Sequence, residues 1–556
     1  LIETRSMGRF SAVLGLAAAS VSTLLTSVAL AQRAPRGAPP PPPPPPPLTE
    51  PVAEPPLVDP LPRWGGVAAA TAPLSLLDAV QTTLRINPTI SASRAALATQ
   101  TAEVGLARAP FDPVFNASLN QSREASPVLP GQRLVPNETA LITDTTSLNV
   151  GANAATPWGM NVSPTVGIQR VYQRAANSVV VPGLAANATQ QMANVGLTVV
   201  QKLLRGAGTV GAASAVEGAR RAEQAAVHTV AETAQERVFD TASAYFAWVA
   251  ATKNVALLTT AEDTSHQMVE ETRILVESNQ RPRADLHQLE GNLATRTTAL
   301  VAAQDDQLQA MYALRTAMGL GAERLAYWQP VDALPAPRLP AADVASMVGE
   351  ARKNRSDLKA AREQVASSAA LLRGADWNTL PELDLQGSIG YTGGLEKDGL
   401  GNYFASLGNN VPGLNAGVGL SVDLPFNNTA ARAARDLQRA QLDQARIANM
   451  DLDRRVPTDV QGALDDLRLS AAALEASSQA VQRYQEAVTD EHDKMKAGVG
   501  TVLDTLITEE LLIQAELTET ANHLRYATAL TKLRLETGAL PSDPDAAPPA
   551  VAGLLN

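Results

Sequence analysis

The feature that most constrains this 556-residue chain is a long internal repeat. Residues 80–119 align without a gap to residues 348–387, and a second ungapped block pairs residues 285–319 with residues 504–538. Solenoid units are only about 20–50 residues long, so this repeat predicts a duplicated half-structure instead. Each copy reads as a helix, strands, a very long helix, a tight turn and a further helix.

Composition excludes several classes of function. The chain has no cysteine, which removes disulfides, thiolate metal sites and lipid attachment at a cysteine. A net charge of −11 argues against nucleic acid as a partner. The sequence has no phosphate-binding glycine loop after a strand and no arguable Ser-His-Asp grouping, and its histidines lack metal-ligand spacing. The histidines are His228, His266, His287, His492 and His523. We therefore expect no enzyme activity, no metal and no cofactor.

The first 72 residues predict export. Residues 1–31 have a positive region, an apolar run and a small-residue cleavage site at Ala29 and Ala31, as in a signal peptide. The true start, Leu1 or Met7, stays open. Residues 32–72 form a Pro-rich leader, with unbroken proline from Pro39 to Pro47. No later apolar stretch is long enough for a membrane-spanning helix, so a membrane could be crossed only by a barrel.

Four short segments alternate between apolar residues and small or polar ones, the period of a strand with two unlike faces. They lie at 115–120, 193–199, 383–391 and 416–424. Strands of a membrane barrel turn their apolar side chains to lipid and their polar ones to the lumen. A half-buried sheet in a soluble domain alternates in the same way, so the pattern alone leaves both interpretations open.

Very long helices are predicted in both copies. No proline occurs between Pro182 and Pro282, and residues 209–279 predict one helix of roughly 105 Å. The second copy repeats it over about 429–497, where Pro457 should kink or loosen the helix. Helices of about half that length are predicted at 283–318, 502–537 and 75–109.

Such rods constrain the architecture, because a 100 Å helix is mostly exposed unless other helices run beside it. Two half-length helices stacked end to end match one full-length helix and suit the wall of a tube. Several chains together could close a ring of such helices around a water-filled lumen.

Several short segments, in their order within the two copies, resemble the outer-membrane efflux protein family, the TolC-like export channels. The likeness covers about residues 73–540. The segments are Leu74-Ser75-Leu76-Leu77-Asp78-Ala79-Val80, Asn87-Pro88, Phe111-Asp112-Pro113, Gln201-Lys202-Leu203-Leu204-Arg205-Gly206, Asn354-Arg355-Ser356-Asp357-Leu358 and Gly498-Val499-Gly500-Thr501 with Asp504.

The resemblance implies an α+β fold in which a long α-helical barrel in the periplasm is continuous with a trimeric transmembrane β-barrel. It also implies a homotrimer in the outer membrane, in contact with its lipid, that conducts passively and performs no chemistry. Its partners would be a periplasmic adaptor protein and an inner-membrane pump of a tripartite efflux or type I secretion system. The alternative is a structural or adhesive coiled-coil protein of the periplasm or cell surface.

The predicted organisation has a first repeat over 73–339, a second over 340–540 and a C-terminal tail over 541–556. The strands of the first repeat span about 114–200 and its tip lies at about 280–283; the second repeat has strands at about 382–424 and its tip at 498–501. The first copy carries extra residues that predict another hairpin, Thr146–Asn153 and Asn161–Gln169, joined by a turn at Pro157-Trp158-Gly159. A trimeric barrel would then have 12 or 18 strands.

Two acidic residues are the candidates for the tunnel entrance. Asp285 and Asp504 occupy equivalent places just after the two tips. In a trimer each would form a ring of three carboxylates that favours cations or gates the tunnel. An acid at a helix N-terminus that only stabilises the helix dipole is the alternative for both. Asp504 is the stronger candidate, because the resemblance places the constriction one turn away.

The tips themselves are the candidate adaptor contacts. In the second, formed by Gly498, Val499, Gly500 and Thr501, the glycines suit a tight turn in which positive φ is easy. In the first, formed by Arg281, Pro282 and Arg283, the arginines could meet acidic groups of an adaptor, although exposed arginines are usually only solvated.

Overall fold

A computed structural model of the protein describes residues 72–129, 140–176, 187–321, 328–341, 343–396, 414–497 and 499–555. The predicted signal peptide lies outside this part of the chain, and so does the predicted leader apart from Ala72. Gly498 of the second tip also lies outside the described residues.

The described chain repeats one order of elements twice. The first copy contains β1 (Ala72–Leu74), α1 (Leu76–Ile86), α2 (Pro88–Arg108), β2 (Val114–Pro127), β3 (Ala140–Ala155), β4 (Met160–Ala176), β5 (Asn187–Lys202), α3 (Gly208–Glu277) and α4 (Arg283–Met318). The second contains β6 (Trp328–Pro330), α5 (Val344–Asn354), α6 (Ser356–Trp377), β7 (Glu382–Leu395), β8 (Leu414–Asp423), α7 (Thr429–Lys496), α8 (Val502–Glu536) and the terminal α9 (Ala547–Leu555). The predicted combination of long helices with antiparallel strands is confirmed.

The single helix predicted over 75–109 is wrong, because the structure has two helices there. The break falls at Asn87, where φ is −59° and ψ is 125°, since a residue before proline is disfavoured in the helical region. Asn87 also holds the break in place: its Oδ1 accepts a hydrogen bond from Thr89 N at 2.9 Å, and its Nδ2 donates to Ala317 O at 2.8 Å. The second copy breaks at the equivalent residue, Arg355, although no proline follows it.

In both copies, the helix that follows the tip ends on a glycine that lies against this break. Gly319, after α4, has φ of 82°, and Gly538, after α8, has φ of 70°, a left-handed conformation that favours glycine. A Cβ atom on Gly319 would lie 2.8 Å from Cα of Asn87, and one on Gly538 would lie 2.9 Å from N of Arg355. The two copies therefore share one helix joint, built from a broken helix and a closely packed glycine.

The two long helices have the predicted lengths, with 70 residues in α3 and 68 in α7. Helix α7 is continuous across Pro457, so the proline does not end it. Shorter helices flank α3 along its length. Ser367 of α6 donates a hydrogen bond to Gly218 O at 2.8 Å near the sheet, and Arg296 of α4 donates to Ala261 O at 3.0 Å near the tips.

Six strands form one antiparallel sheet in the order β2-β3-β4-β5-β7-β8. The extra hairpin predicted in the first copy is present as β3 and β4, joined through residues 156–159. Pro164 pairs with Leu197 of β5, but the pairing of β4 with β3 skips it, because proline has no N–H to donate. Among the described residues, strands β2 and β8 are the two edges of the sheet, and the sheet is not closed.

The largest core lies around the ends of α4 and α8 that are distant from the tips. It packs Leu76 of α1, Tyr245 and Trp248 of α3, and Leu314 of α4 with Val551 of α9, so the end of the described chain is part of this core. The rings of Tyr245 and Trp248 pack edge to face, 5.9 Å apart. Burial raises the pKa of Tyr245. None of the helices in the described part of the chain combines the length and apolar character needed to cross a membrane.

Candidate functional site: the helix tips and the faces of the sheet

The first tip turns without glycine. Helix α3 ends at Glu277, and Asn279 takes the left-handed conformation with φ of 56°. Asn279 N donates to Val276 O at 3.0 Å and Gln280 N donates to Leu275 O at 2.8 Å, which are the two bonds of a Schellman ending. Asparagine is the residue that most often replaces glycine in this conformation, so Asn279 takes the place of the usual C-terminal glycine.

The charges of the first tip partly neutralise one another. Arg281 Nη1 lies 3.6 Å from Asp285 Oδ2, and the Arg281 and Asp285 side chains are 26% and 28% exposed. Pro282 and Arg283, the other predicted contact residues, are exposed at the start of α4. Asp285 therefore stands beside a cation of its own tip.

The second tip needs a glycine at position 500 because the backbone of α7 lies very close to it, and not because φ is positive there. The N–H groups of Val499 and Gly500 both donate to Lys494 O, at 3.0 and 3.1 Å. A Cβ atom on Gly500 would lie 2.9 Å from N of Met495, closer than real Cβ atoms come to backbone. Gly500 is not among the described residues with positive φ, so that predicted reason for a glycine is wrong at this position.

Asp504 is held by a reciprocal cap at the start of α8. Thr501 Oγ1 donates to Asp504 Oδ2 at 2.6 Å, and Asp504 N donates to Thr501 Oγ1 at 3.2 Å. Thr501 is thus a side-chain N-cap, and the carboxylate of Asp504 bonds its hydroxyl group. Both side chains remain exposed, so the carboxylate stabilises the helix start and still faces solvent. Asp504 has no cation within ion-pairing distance among the described residues, unlike Asp285.

Two helical hairpins, α3–α4 in the first copy and α7–α8 in the second, pack together through apolar side chains just behind the tips. Val269 of α3, Leu289 of α4, and Val502 and Leu506 of α8 form one buried cluster. The first-copy hairpin and the second-copy hairpin therefore contact each other directly. On the other side of α8, a stripe of apolar residues starting at the tip remains exposed. It consists of Val499, Leu503, Ile507 and Leu511, at 79%, 47%, 51% and 44% exposure.

A buried ionic joint connects all four helices of the hairpins farther from the tips. Arg296 Nη2 of α4 lies 3.0 Å from Glu509 Oε2 of α8, with only 5% and 8% of the side chains exposed. Arg296 also donates to Ala261 O of α3 at 3.0 Å, and His492 Nε2 of α7 lies 3.0 Å from Glu509 Oε1. No pattern in the sequence signals this joint. The repeat pairs Glu509 with Glu290, but only Glu509 is buried.

The faces of the sheet separate apolar from polar side chains. Strand pairing places large exposed apolar side chains on one face, here called the apolar face. They are Phe115, Leu119, Val166, Val195, Leu197, Leu385, Ile389, Leu414, Val418, Leu420 and Val422. The opposite face carries mainly Asn, Gln, Ser, Thr and Gly, as in the row Ser118, Asn149, Gly167, Asn194 and Thr392.

No group of three or more histidine, aspartate or glutamate side chains is placed to hold a metal ion in the described ranges. The described residues instead form two exposed tips, a buried joint between the helical hairpins and a two-faced sheet. Together with helices of 70 and 68 residues, they define a class of protein in which long helical hairpins are joined to a two-faced antiparallel sheet.

Comparison with known proteins identifies a family that the second repeat matches and structures with a similar fold. Residues 347–539 match the family model described as outer membrane efflux protein. The fold is similar to that of VceC from Vibrio cholerae, with 17% identity over 83% of this chain and 96% of that chain and a TM-score of 0.56. It is also similar to Neisseria gonorrhoeae MtrE (19% identity, 83% and 88% coverage, TM-score 0.57) and Campylobacter jejuni CmeC (14%, 83% and 85%, 0.58). A comparison with curated proteins gave no match.

The predicted resemblance to the outer-membrane efflux protein family is therefore confirmed. The second repeat carries the family's sequence signature, and the described chain has the fold of TolC-family outer-membrane channels. Proteins of this family are channels and not enzymes.

Proposed function

We propose that this protein is the passive outer-membrane channel of a tripartite efflux or type I secretion system. Three copies join their sheets into one transmembrane barrel and their helices into one periplasmic tunnel. A periplasmic adaptor docks at the tips, and an inner-membrane pump supplies and drives the substrate. The observation that carries the proposal is the two-faced, open, six-stranded sheet at one end of 100 Å helices.

The edges of the sheet are suited to closure with other copies. The six strands alternate in direction, so β2 and β8 run in opposite directions. Strand β8 of one copy can therefore pair with β2 of the next in the antiparallel manner of the rest of the sheet. Three copies give 18 strands, a size at which a barrel leaves an aqueous channel. Of the two strand numbers that the sequence left open, the structure favours the larger.

The apolar face has the dimensions of a lipid-facing band. On β7 it runs from Leu383 to Tyr391, about 27 Å at about 3.4 Å per residue. The apolar band of outer-membrane barrels is about 25 Å tall. Aromatic side chains lie exposed at the helix-proximal end, with Trp158 at 53% and Phe426 at 100%, as in an interfacial girdle.

The tips supply the surface for the adaptor. Val499, 79% exposed, projects from the second tip, and Leu503 and Ile507 continue the apolar stripe. Exposed apolar residues at a turn are what a helical hairpin of another protein can cover. We place the adaptor contact on residues 498–501, with residues 281–283 contributing charge, and the cation-selective entrance at Asp504 with a smaller share from Asp285.

Conductance in planar bilayers, combined with cysteine cross-linking, tests the proposal. Because the chain has no cysteine, Ser118→Cys in β2 and Gly417→Cys in β8 introduce the only thiols. A bismaleimide linker should then join chains into covalent oligomers in membranes. Asn149→Cys with Asn194→Cys, on central strands β3 and β5, should react only within one chain. A protein that conducts no ions, is released from membranes by carbonate and yields no edge-linked oligomer would instead support the structural coiled-coil alternative.

A further inference from the structure

A groove with a volume of about 740 Å³ opens where the helices meet the sheet. It lies between α2, α3 and α6 and extends to the turn that joins β3 to β4. Apolar side chains such as Phe111, Val210 and Val216 form much of its lining. Ligand pockets of about 300–1,000 Å³ are typically apolar with a few well-placed polar groups, so this groove has the size and composition of a binding site. We call it the junction groove.

Three arginines from three different helices line the junction groove: Arg108 of α2, Arg220 of α3 and Arg373 of α6. None of their guanidinium groups has an ion pair or a hydrogen bond to another residue in the described ranges. Two carboxylates also line the groove. Glu217 is already paired with Arg221, at 3.0 Å between Oε1 and Nε, and Arg221 in turn binds Glu363 of α6, so Asp112 is the carboxylate that stays without such a partner. Among the lining residues, positive charge therefore exceeds negative charge.

The junction groove lies on the side of α3 that faces away from the proposed lumen. Val210 and Glu217 line the groove, and Val238 and Tyr245 of the same helix pack in the largest core. These four residues are separated by multiples of seven, so they lie on one side of a helix that runs beside others. That core also contains α1 and α9, a further layer on the helical wall. Inside a ring of three copies this layer would obstruct the tunnel, so the layer and the groove lie outside.

The level of the junction groove matches one surface of the proposed membrane. Pro157 lies in the turn beside Trp158, an aromatic residue of the proposed interfacial girdle. Asp112 precedes Val114, the first residue of β2, by two positions. The groove thus begins where the apolar band of the sheet ends, on the side of the helices. With the sheet in the outer membrane, this is the depth of the lipid head groups of the inner leaflet.

We propose that the junction groove binds an anionic phospholipid of the inner leaflet, with the phosphate at the arginines and an acyl chain on the apolar lining. The inference rests on the proposed function, because only a membrane-embedded sheet brings the groove to the head groups. Guanidinium groups present paired N–H donors to phosphate oxygens and are weakly hydrated, so they suit this ligand. The excess of cationic groups favours an anionic lipid over a neutral one.

Native mass spectrometry of the detergent-purified protein, with phosphatidylglycerol as the probe, tests the junction groove. The wild-type protein should retain phosphatidylglycerol in preference to diacylglycerol with the same acyl chains, which lacks the phosphate. Each of Arg108→Gln, Arg220→Gln and Arg373→Gln should weaken retention about fivefold, the contribution of one arginine at an anionic membrane surface. Asp112→Asn should strengthen retention, because it removes a carboxylate from the lining.

Two further variants separate a site in the groove from a general effect of surface charge. Arg483→Gln removes one charge from an exposed arginine of α7 outside the groove and should leave retention unchanged. Ala213→Trp places a bulky side chain in the lining and should weaken retention although the charge is the same. Apparent Tm of each variant confirms that the protein is folded.

Three results would overturn the assignment: equal retention of diacylglycerol, unchanged retention in all three glutamine variants, or displacement of the lipid by inorganic phosphate at the lipid's own concentration. The last would identify a site for free phosphate. Conductance of the wild-type protein in planar bilayers separates this failure from failure of the proposed function. A conducting protein whose lipid retention ignores the arginines refutes the groove alone.

Discussion

At the residue scale, the two tip aspartates differ in their surroundings although the repeat makes them equivalent. Asp285 has Arg281 at 3.6 Å, whereas Asp504 is held by the uncharged Thr501. A carboxylate within ion-pairing distance of a cation contributes less to the local potential than one whose nearest cation, here Lys494, lies beyond that distance. Any selectivity for cations at the tunnel entrance should therefore come mainly from Asp504.

Asp504→Asn should lower the cation-to-anion permeability ratio in single-channel recordings, since it removes three charges from the proposed trimeric ring. The matched control is Thr501→Val, which breaks the cap and keeps the charge. It should cost about 1 kcal/mol of helix stability and leave the selectivity unchanged. Unchanged selectivity in Asp504→Asn would reduce Asp504 to its capping role.

Gly500→Val should impair export while the oligomer remains intact. The added Cβ would lie 2.9 Å from N of Met495, so the tip must deform to accommodate it. Gly291→Val on α4 is the control, because a Cβ there meets nothing within 4 Å. Export is measured in a strain whose own channel is deleted, and oligomer content by gel mobility without heating. Normal export by Gly500→Val would remove the second tip from the adaptor contact.

A pH dependence should arise at Glu232 of α3. Burial, with the nearby carboxylates of Asp357 and Glu236, raises the pKa of Glu232 to about 7 from an ordinary value of 4.5. The folded protein therefore holds this proton between those two pH values while the unfolded chain releases it, so stability should fall as the pH rises from 4.5 to 7. Glu232→Gln should flatten that slope in apparent Tm measured from pH 5 to 8. Glu270→Gln, exposed on the same helix, should leave the slope as in the wild-type protein.

At the scale of elements, the ionic joint holds the second-copy hairpin against the first. Glu509→Gln would leave the Arg296 charge buried and uncompensated, a loss of about 3–5 kcal/mol in other buried pairs. Its repeat equivalent is a natural control: Glu290 is 44% exposed and lies near His287, so Glu290→Gln should cost less than about 0.5 kcal/mol. Limited proteolysis between α7 and α8, together with apparent Tm, measures the difference. Equal behaviour of the two variants would contradict a stabilising joint.

Much of each element could be predicted from sequence, because length follows from local chemistry. The absence of proline between Pro182 and Pro282 predicted the span of α3. The alternation of apolar residues with small or polar ones predicted parts of β2, β5, β7 and β8. The break at Asn87 was missed although Pro88 signals it. The break at Arg355 has no such signal, since it depends on packing against Gly538, far along the chain.

The site could be predicted only in part, because a local sequence pattern does not report packing between distant segments. The tips were located by turn-forming residues, and the pairing of Asp285 with Asp504 came from the repeat. Burial of Glu509 depends on side chains from three other helices, which no local pattern reports. The left-handed Asn279 is a local feature that could have been found, because asparagine tolerates that conformation better than most residues.

At the scale of the whole molecule, the open sheet predicts the order in which the proposed trimeric barrel would assemble. Each chain presents one edge of 14 residues, β2, and one of 10 residues, β8. In hydrocarbon, every unpaired backbone N–H or C=O on those edges would cost several kcal/mol, because no water can replace its partner. Under the proposed function, a solitary chain in a membrane would leave both edges unpaired. We therefore predict that the copies assemble in water first and insert afterwards. Pulse-labelled chains should thus become resistant to unheated detergent before they resist carbonate extraction; the reverse order would mean that a single chain can shield its edges in lipid.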